Sequence, residues 1–201
     1  MTAEQEVHSP RRDLVRRGAL GGAALLAGGS FLGRRPDAAD AAPSRSQDQR
    51  IFNFALLLEY LQAEFYSRGL SQAGLHGEVR AFAEAVSEHE REHVAFLQKA
   101  LGANARQKPT FNFGDAMKDE KSFVATAVTL ENLGVSAYNG QAANLTKRAL
   151  AAAVEIVSVE GRHAAWISDL AGQPPAPRAA DPGASAAAVV AALNRTGFLK
   201  R

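Results

Sequence analysis

Between residues 49 and 70, Ile51, Phe54, Ala55, Leu58, Leu61 and Phe65 recur at the three- and four-residue spacing of a single helix face. No proline interrupts the run and no glycine falls before Gly69. This predicts a first helix over 49–70. The turn Ser71-Gln72-Ala73-Gly74 follows, and Phe82, Val86, His93, Phe96 and Leu97 then mark a second helix over 78–101 with Gly102 as its C-cap. Pro109 and the stretch Phe111-Asn112-Phe113-Gly114 break the pattern. It resumes for a third helix over about 121–143 and a fourth over about 146–170, which Gly172, Pro174, Pro175 and Pro177 stop. The expectation is all-α: a linker over 42–48, a four-helix bundle over 49–171, and a Pro- and Ala-rich tail over 172–201. That tail reads as loop with room for a short helix over 185–193.

The helices repeat in pairs. Leu58-Glu59-Tyr60-Leu61, with Tyr66 seven beyond the glutamate, matches Leu130-Glu131-Asn132-Leu133, with Tyr138 seven beyond. Likewise Glu90-Arg91-Glu92-His93 and the following Val94-Ala95-Phe96-Leu97 match Glu160-Gly161-Arg162-His163 and Ala164-Ala165-Trp166-Ile167. The first helix therefore corresponds to the third, and the second to the fourth. Short links within each pair imply two antiparallel hairpins. The connection over 103–120 spans roughly 50 Å when extended, against roughly 35 Å for one helix, so it can cross the bundle and start the third helix at the end where the second began.

Four acids sit on the apolar faces of these helices. Glu131 has Val124, Ala127, Val128, Gly134, Val135 and Tyr138 three, four and seven residues away; Glu59 has Phe52, Ala55, Leu56, Ala63 and Tyr66. Glu90 lies among Ala83, Val86, Val94 and Leu97 with His93 beside it, and Glu160 among Ala153, Ile156, Val157, Ala164 and Ile167 with His163. A buried carboxylate must protonate, pair with a base or bind a cation. No Lys or Arg shares these faces, so the cation must come from outside. Two divalent ions would balance four carboxylates, and Glu-x-x-His sets an acid and an imidazole one turn apart on one face. By contrast Glu64, Glu84, Glu88 and Glu92 read as solvated, Glu64 pairing with Arg68 and Glu84 with Arg80, and His76 and His89 read as surface histidines. Tyr66 and Tyr138 lie about 10 Å along the axis from their own glutamates. They read as core packing, with a redox role or a place around the ligands as the alternative.

One Glu from each of two helices plus Glu-x-x-His from each of the other two resembles the ligand pattern of the ferritin-like di-iron and di-manganese carboxylate superfamily. The Leu-Glu-x-Leu repeat, the Phe-x-Phe-Gly stretch and the Gly134-Val135-Ser136-Ala137-Tyr138 run resemble its exported bacterial ferritin-like domain proteins more closely, over residues 51–170. The resemblance implies a ferritin-like four-helix bundle of two hairpin repeats joined by a long crossover. It also implies two metal ions. Glu59, Glu90 and His93 would serve one, and Glu131, Glu160 and His163 the other, with some glutamates bridging. Oxygen-rich ligands with two imidazoles suit iron or manganese, and zinc also binds such sites. The activity implied is oxidation of ferrous iron by oxygen or peroxide, or removal of peroxide; a non-catalytic metal-binding or desiccation- and stress-related protein is the alternative, and a metal-free bundle a third.

Composition narrows the partners. Lys+Arg 23 against Asp+Glu 21 gives a formal charge of +2 with both signs interspersed, which excludes nucleic acid as an expected partner. With Cys 0, disulfides, thiolate metal sites, cysteine nucleophiles and a rubredoxin-type electron donor are all absent from the chain. Near the N-terminus, Pro10-Arg11-Arg12-Asp13-Leu14-Val15-Arg16 resembles the twin-arginine signal pattern, with leucine in place of the usual phenylalanine and proline in place of the usual serine. The apolar, glycine-rich run over 18–32 is too short to span a bilayer, and Ala39-Asp40-Ala41 offers a small-x-small cleavage site. Residues 1–41 are therefore expected to be a signal read by the twin-arginine export machinery through Arg11 and Arg12. The processed protein would lie beyond the cytoplasmic membrane, in periplasm, envelope or medium, without a stable membrane anchor. A homo-oligomer stays open.

Overall fold

The computed structural model describes residues 42–199; the expected signal, with Arg11 and Arg12, lies outside them. Among the described residues the chain is all-helical, with five α-helices: α1 (Arg45–Gln72), α2 (Gly77–Leu101), α3 (Glu120–Gln141), α4 (Lys147–Leu170) and α5 (Ala186–Thr196). The first four form a bundle of two hairpins, α1 packing chiefly on α2 and α3 chiefly on α4, as the two-hairpin expectation requires.

Helix ends follow local chemistry. The first helix starts at Arg45, inside the stretch 42–48 expected as linker, because Ser44 caps it by accepting from the Gln47 N–H at 3.3 Å. The polar first turn carries no apolar period, so a pattern search misses it. Asp48 in that turn also reaches the second hairpin. Its two carboxylate oxygens accept from the Thr146 N–H at 2.9 Å and the Thr146 hydroxyl at 2.7 Å, tying α1 to the start of α4. Asp119 caps α3 by accepting from Ser122 N–H at 2.7 Å. That helix ends at Gln141, and residues 142 and 143, expected within it, belong to a 3₁₀ turn over Ala142–Asn144.

The core between the hairpins is aromatic. Phe65 stacks on Phe123 with ring centroids 4.7 Å apart and meets Tyr66 and Phe113 edge-on, at 5.3 and 5.4 Å. Phe111 and Phe113 of the crossover are buried, which anchors the long connection to the bundle instead of leaving it as a free loop.

The C-terminal segment is bound more closely than the expectation of a loop tail allows. Helix α5 runs to Thr196, past residue 193, and buries Val189 and Leu193, four residues apart. Beyond it, Phe198 C=O accepts from Asn112 N–H at 2.8 Å, and Phe198 packs edge-on against Phe113 at 5.2 Å. Before it, Ala184 N–H donates to Ser136 C=O at 2.8 Å, and the chain crosses α3 so tightly that a Cβ on Gly140 would fall 1.8 Å from the Ala184 carbonyl oxygen. The crossover, from the middle of the chain, and the tail thus meet on the bundle.

Candidate metal centre

Each of the four bundle helices turns one glutamate inward at the same level. Glu59 comes from α1, Glu90 from α2, Glu131 from α3 and Glu160 from α4; His93 and His163 follow one turn after Glu90 and Glu160, and all six side chains are buried. The apolar faces read from the sequence explain this directly: the helices bury those faces, and the acids go with them.

The six residues form two overlapping groups able to hold a metal ion. One joins Glu59, Glu90, Glu160 and His93, the other Glu90, Glu131, Glu160 and His163. His93 Nδ1 lies 3.2 Å from Glu59 Oε2, 3.2 Å from Glu160 Oε1 and 3.5 Å from Glu90 Oε2. His163 Nδ1 lies 3.2 Å from Glu90 Oε1, 3.4 Å from Glu131 Oε2 and 3.9 Å from Glu160 Oε1. Glu90 and Glu160 belong to both groups, so the acids of the two Glu-x-x-His motifs are the shared ones, and Glu59 and Glu131 are terminal.

The donor set fits a pair of cations. Both carboxylate oxygens of Glu90 and of Glu160, Oε2 of Glu131 and Nδ1 of His163 are buried without a hydrogen-bond partner, and among the described residues they are the only such side-chain atoms. Buried polar atoms of folded proteins are normally paired, so six orphans converging on one spot mark a place built for something else. Oxygen and imidazole atoms suit a metal ion.

In the metal-free fold, protons fill part of that role. Burial, then the negative charges of Glu59 and Glu131, push Glu90 well above the ordinary carboxylate range; burial and the charges of Glu90 and Glu59 do the same to Glu160. Burial disfavours a charged His93, but the carboxylates of Glu160, Glu59 and Glu90 close around its Nδ1 outweigh this and push it up to about 12. Glu59 goes the other way: burial raises it, yet the bonds with His93 and the imidazolium charge hold it below its ordinary value.

Around the cluster the structure shows partners that helical spacing does not reveal. Tyr66 donates to Glu131 Oε1 and Tyr138 to Glu59 Oε1, each at 2.5 Å. Each tyrosine therefore serves the glutamate of the other repeat and not the one seven residues away on its own helix, so the two phenols hold the acids and are more than core packing. Burial and the neighbouring carboxylate keep both phenols well above their ordinary value, hence protonated donors. Gln62, absent from the sequence-derived site, is buried and donates its Nε2 to Glu131 Oε1 at 3.0 Å. Its position three residues after Glu59, on the same face, was the signal available.

His89 is exposed, as expected, but its Nδ1 lies 2.9 Å from His163 Nε2 and the two rings stack with centroids 5.2 Å apart. A His163 that presents Nδ1 to a metal carries its proton on Nε2, and His89 Nδ1 then accepts it. His89, Glu92, Arg162 and Trp166 rim a cleft of about 390 Å³ between α2 and α4 that reaches His93 and His163. Trp166 itself leans edge-on against Phe82 at 5.1 Å. The surface pairs behave as anticipated: Arg68 meets Glu64, and Arg80 Nε meets Glu84 at 2.9 Å. Glu64 also takes Lys108 at 2.8 Å and is half-buried, less solvated than expected. His76 is exposed and meets Glu120 at 2.9 Å.

Residues 47–173 match the sequence pattern of the ferritin-like domain. The chain belongs to that family. No curated protein matches it. The match covers the four-helix bundle except the first two residues of α1, and it stops short of α5.

Proposed function

We propose that this ferritin-like protein is exported, holds two ions of iron or manganese in its buried cluster, and uses them to oxidise ferrous iron or to handle peroxide or oxygen. The observation that carries the reading is the set of six buried, unpartnered ligand atoms shared between two histidine-centred groups.

The chain's own residues suit small reactants. Tyr66 and Tyr138 occupy the outer oxygen of each terminal glutamate, leaving Glu131 Oε2 and Glu59 Oε2 turned inward. His89 holds the proton on His163 Nε2. The apolar helix faces around the ligands offer no Arg, Lys or Asn to grip a phosphate or amide substrate, and Arg162 stands only at the rim of the cleft. Iron or manganese bound here would supply a change of oxidation state, which such a site can couple to oxygen, peroxide or ferrous iron reaching it through the cleft beside His89.

Two assays on separately loaded protein decide the point: ferrous oxidation followed optically, and oxygen release from peroxide followed with an electrode. Wild type should exceed Glu131→Ala in one of them. If wild type binds both ions and matches that variant in both, the protein is a metal-binding protectant without catalysis.

Export rests on Arg11, Arg12 and the apolar run after them. Cleavage near Ala42 would leave the Ser44 cap of α1 intact. Mass spectrometry should find the chain trimmed there and outside the cytoplasm; full-length protein retained in the cytoplasm during normal growth overturns it.

A further inference from the structure

Away from the buried cluster, one cleft joins three parts of the chain that the sequence keeps far apart. It holds about 350 Å³ and is lined from α1, from the start of the crossover and from α5. Arg50, Phe54 and Leu57 of α1 stand four and then three residues apart, on a helix face other than the one that carries Glu59. The crossover is pinned there by its main chain. Arg106 N–H donates to Asn53 Oδ1 at 2.8 Å, Arg106 C=O accepts from the Tyr60 hydroxyl at 3.2 Å, and Asn53 Nδ2 donates to Asn104 C=O at 3.0 Å. These bonds fix where Arg106 stands and use none of its guanidinium. From α5 comes Val190, which stays 39% exposed while its neighbour Val189 is fully buried.

The lining is carbon inside and positive charge outside. Phe54, Leu57 and Pro109 are half-buried and Leu56 and Tyr60 buried, whereas Arg50 and Arg106 are exposed. Among the described residues no acid lines the cleft, and arginine and lysine meet carboxylates only at Arg68, Arg80 and Lys108. Neither guanidinium at the cleft is therefore neutralised within the fold. Two like charges at one opening raise the local positive potential and favour an anion there, and a guanidinium takes a carboxylate with two parallel hydrogen bonds. A small inorganic anion would leave the apolar wall wet. A neutral apolar molecule would leave both arginines unused. The volume falls within the roughly 300–1,000 Å³ of clefts that hold small organic ligands.

We propose that this cleft binds an organic carboxylate with an apolar tail, the head held by Arg50 and Arg106 and the tail lying against Phe54, Leu57 and Val190. The occupant is a free amphiphile and not a bilayer, because all of the apolar lining except Val190 is at least half-buried and out of a membrane's reach. The site includes α5, which lies beyond the ferritin-like match, and it does not depend on the metal reading.

The test is calorimetric titration of the full chain with octanoate, beside acetate, which has the head alone, and 1-octanol, which has the tail alone. One octanoate per chain is expected in the cleft, with acetate weaker by roughly a hundredfold and octanol by about tenfold. Arg50→Gln and Arg106→Gln should each weaken octanoate by about tenfold, the second without touching the main-chain bonds of Arg106. Val190→Asp sets an acid beside the tail and should weaken it further. Raising the salt should weaken octanoate and spare octanol. Circular dichroism and metal content check that each variant is folded; should Val190→Asp disturb α5, the two arginine variants still decide. Octanoate bound no more tightly than acetate or octanol overturns the proposal, as does equal binding by wild type and both arginine variants. Co-sedimentation with phosphatidylglycerol vesicles that is lost in the arginine variants would make this face a membrane contact and overturn the free-ligand assignment.

Discussion

The Tyr66 hydroxyl donates to Glu131 Oε1 at 2.5 Å although the two residues lie on different hairpins, and Tyr138 returns the contact at Glu59 with the same distance. The bonds lock the hairpins together at the level of the buried Glu and His cluster. Tyr66→Phe removes one donor from a buried carboxylate and should cost about 1.5–3 kcal/mol in urea unfolding of the metal-free protein. Metal stoichiometry should stay as in wild type, because Glu131 Oε2 still faces inward. A variant as stable as wild type would mean that the phenol merely fills space.

Removing metal should destabilise the fold. A cation bound only by the native state at about 100 times its dissociation constant adds ~2.7 kcal/mol, which in a domain of this size raises Tm by roughly 5–10 °C. Calorimetry with and without chelator measures this. Glu131→Ala and His163→Ala should lower the metal content per chain, whereas Glu64→Ala, which breaks pairs with Arg68 and Lys108, should not. Equal metal content in all three would refute the ligand assignment.

The pH dependence of the metal-free protein has a definite sign. Glu90 and Glu160 are raised above an ordinary 4.5, and His93 from 6.5 to about 12, so the native state binds more protons than the unfolded chain over neutral pH. The stability they contribute is fully present below the unfolded values and is lost as pH rises. Glu59, held below 4.5, acts oppositely but only on the acid side of that value. Denaturant midpoints of metal-free protein should therefore fall between pH 5 and pH 9. Metal affinity should rise over the same range, since the cations displace those protons; metal-free stability that climbs with pH would contradict the proton-filled cluster.

Gly140 offers a test of the C-terminal segment. A valine there would drive its Cβ into the Ala184 carbonyl oxygen, 1.8 Å from the ideal Cβ position, and should cost about 1–3 kcal/mol or free the segment. Limited proteolysis should then cut faster within residues 173–184 while metal content holds. Unchanged proteolysis would show that the tail finds another path across α3.

Much of this protein lies in its periodicities. The four bundle helices, their pairing, and Glu59, Glu90, His93, Glu131, Glu160 and His163 are readable because residues three, four and seven apart share one helix face, and that face must be buried. An acid on such a face announces its own burial. The start of α1 at Arg45 escaped this logic, because its first turn is polar and the Ser44 cap alone decides it.

What tertiary structure decided is everything that passes between elements. Which oxygen Tyr66 reaches depends on how the two hairpins cross, and no spacing along α1 contains that. The same holds for His89 on His163, for Gln62 on Glu131, and for the two glutamates shared by both groups. The docking of α5 and Phe198 depends on where the crossover leaves Phe111 and Phe113, nearly ninety positions earlier in the chain. Local sequence determines which side chains turn inward, because burial of an apolar face is a property of one helix; it leaves open whom they meet, because hydrogen-bond partners are chosen only when separate helices settle at a common depth and distance.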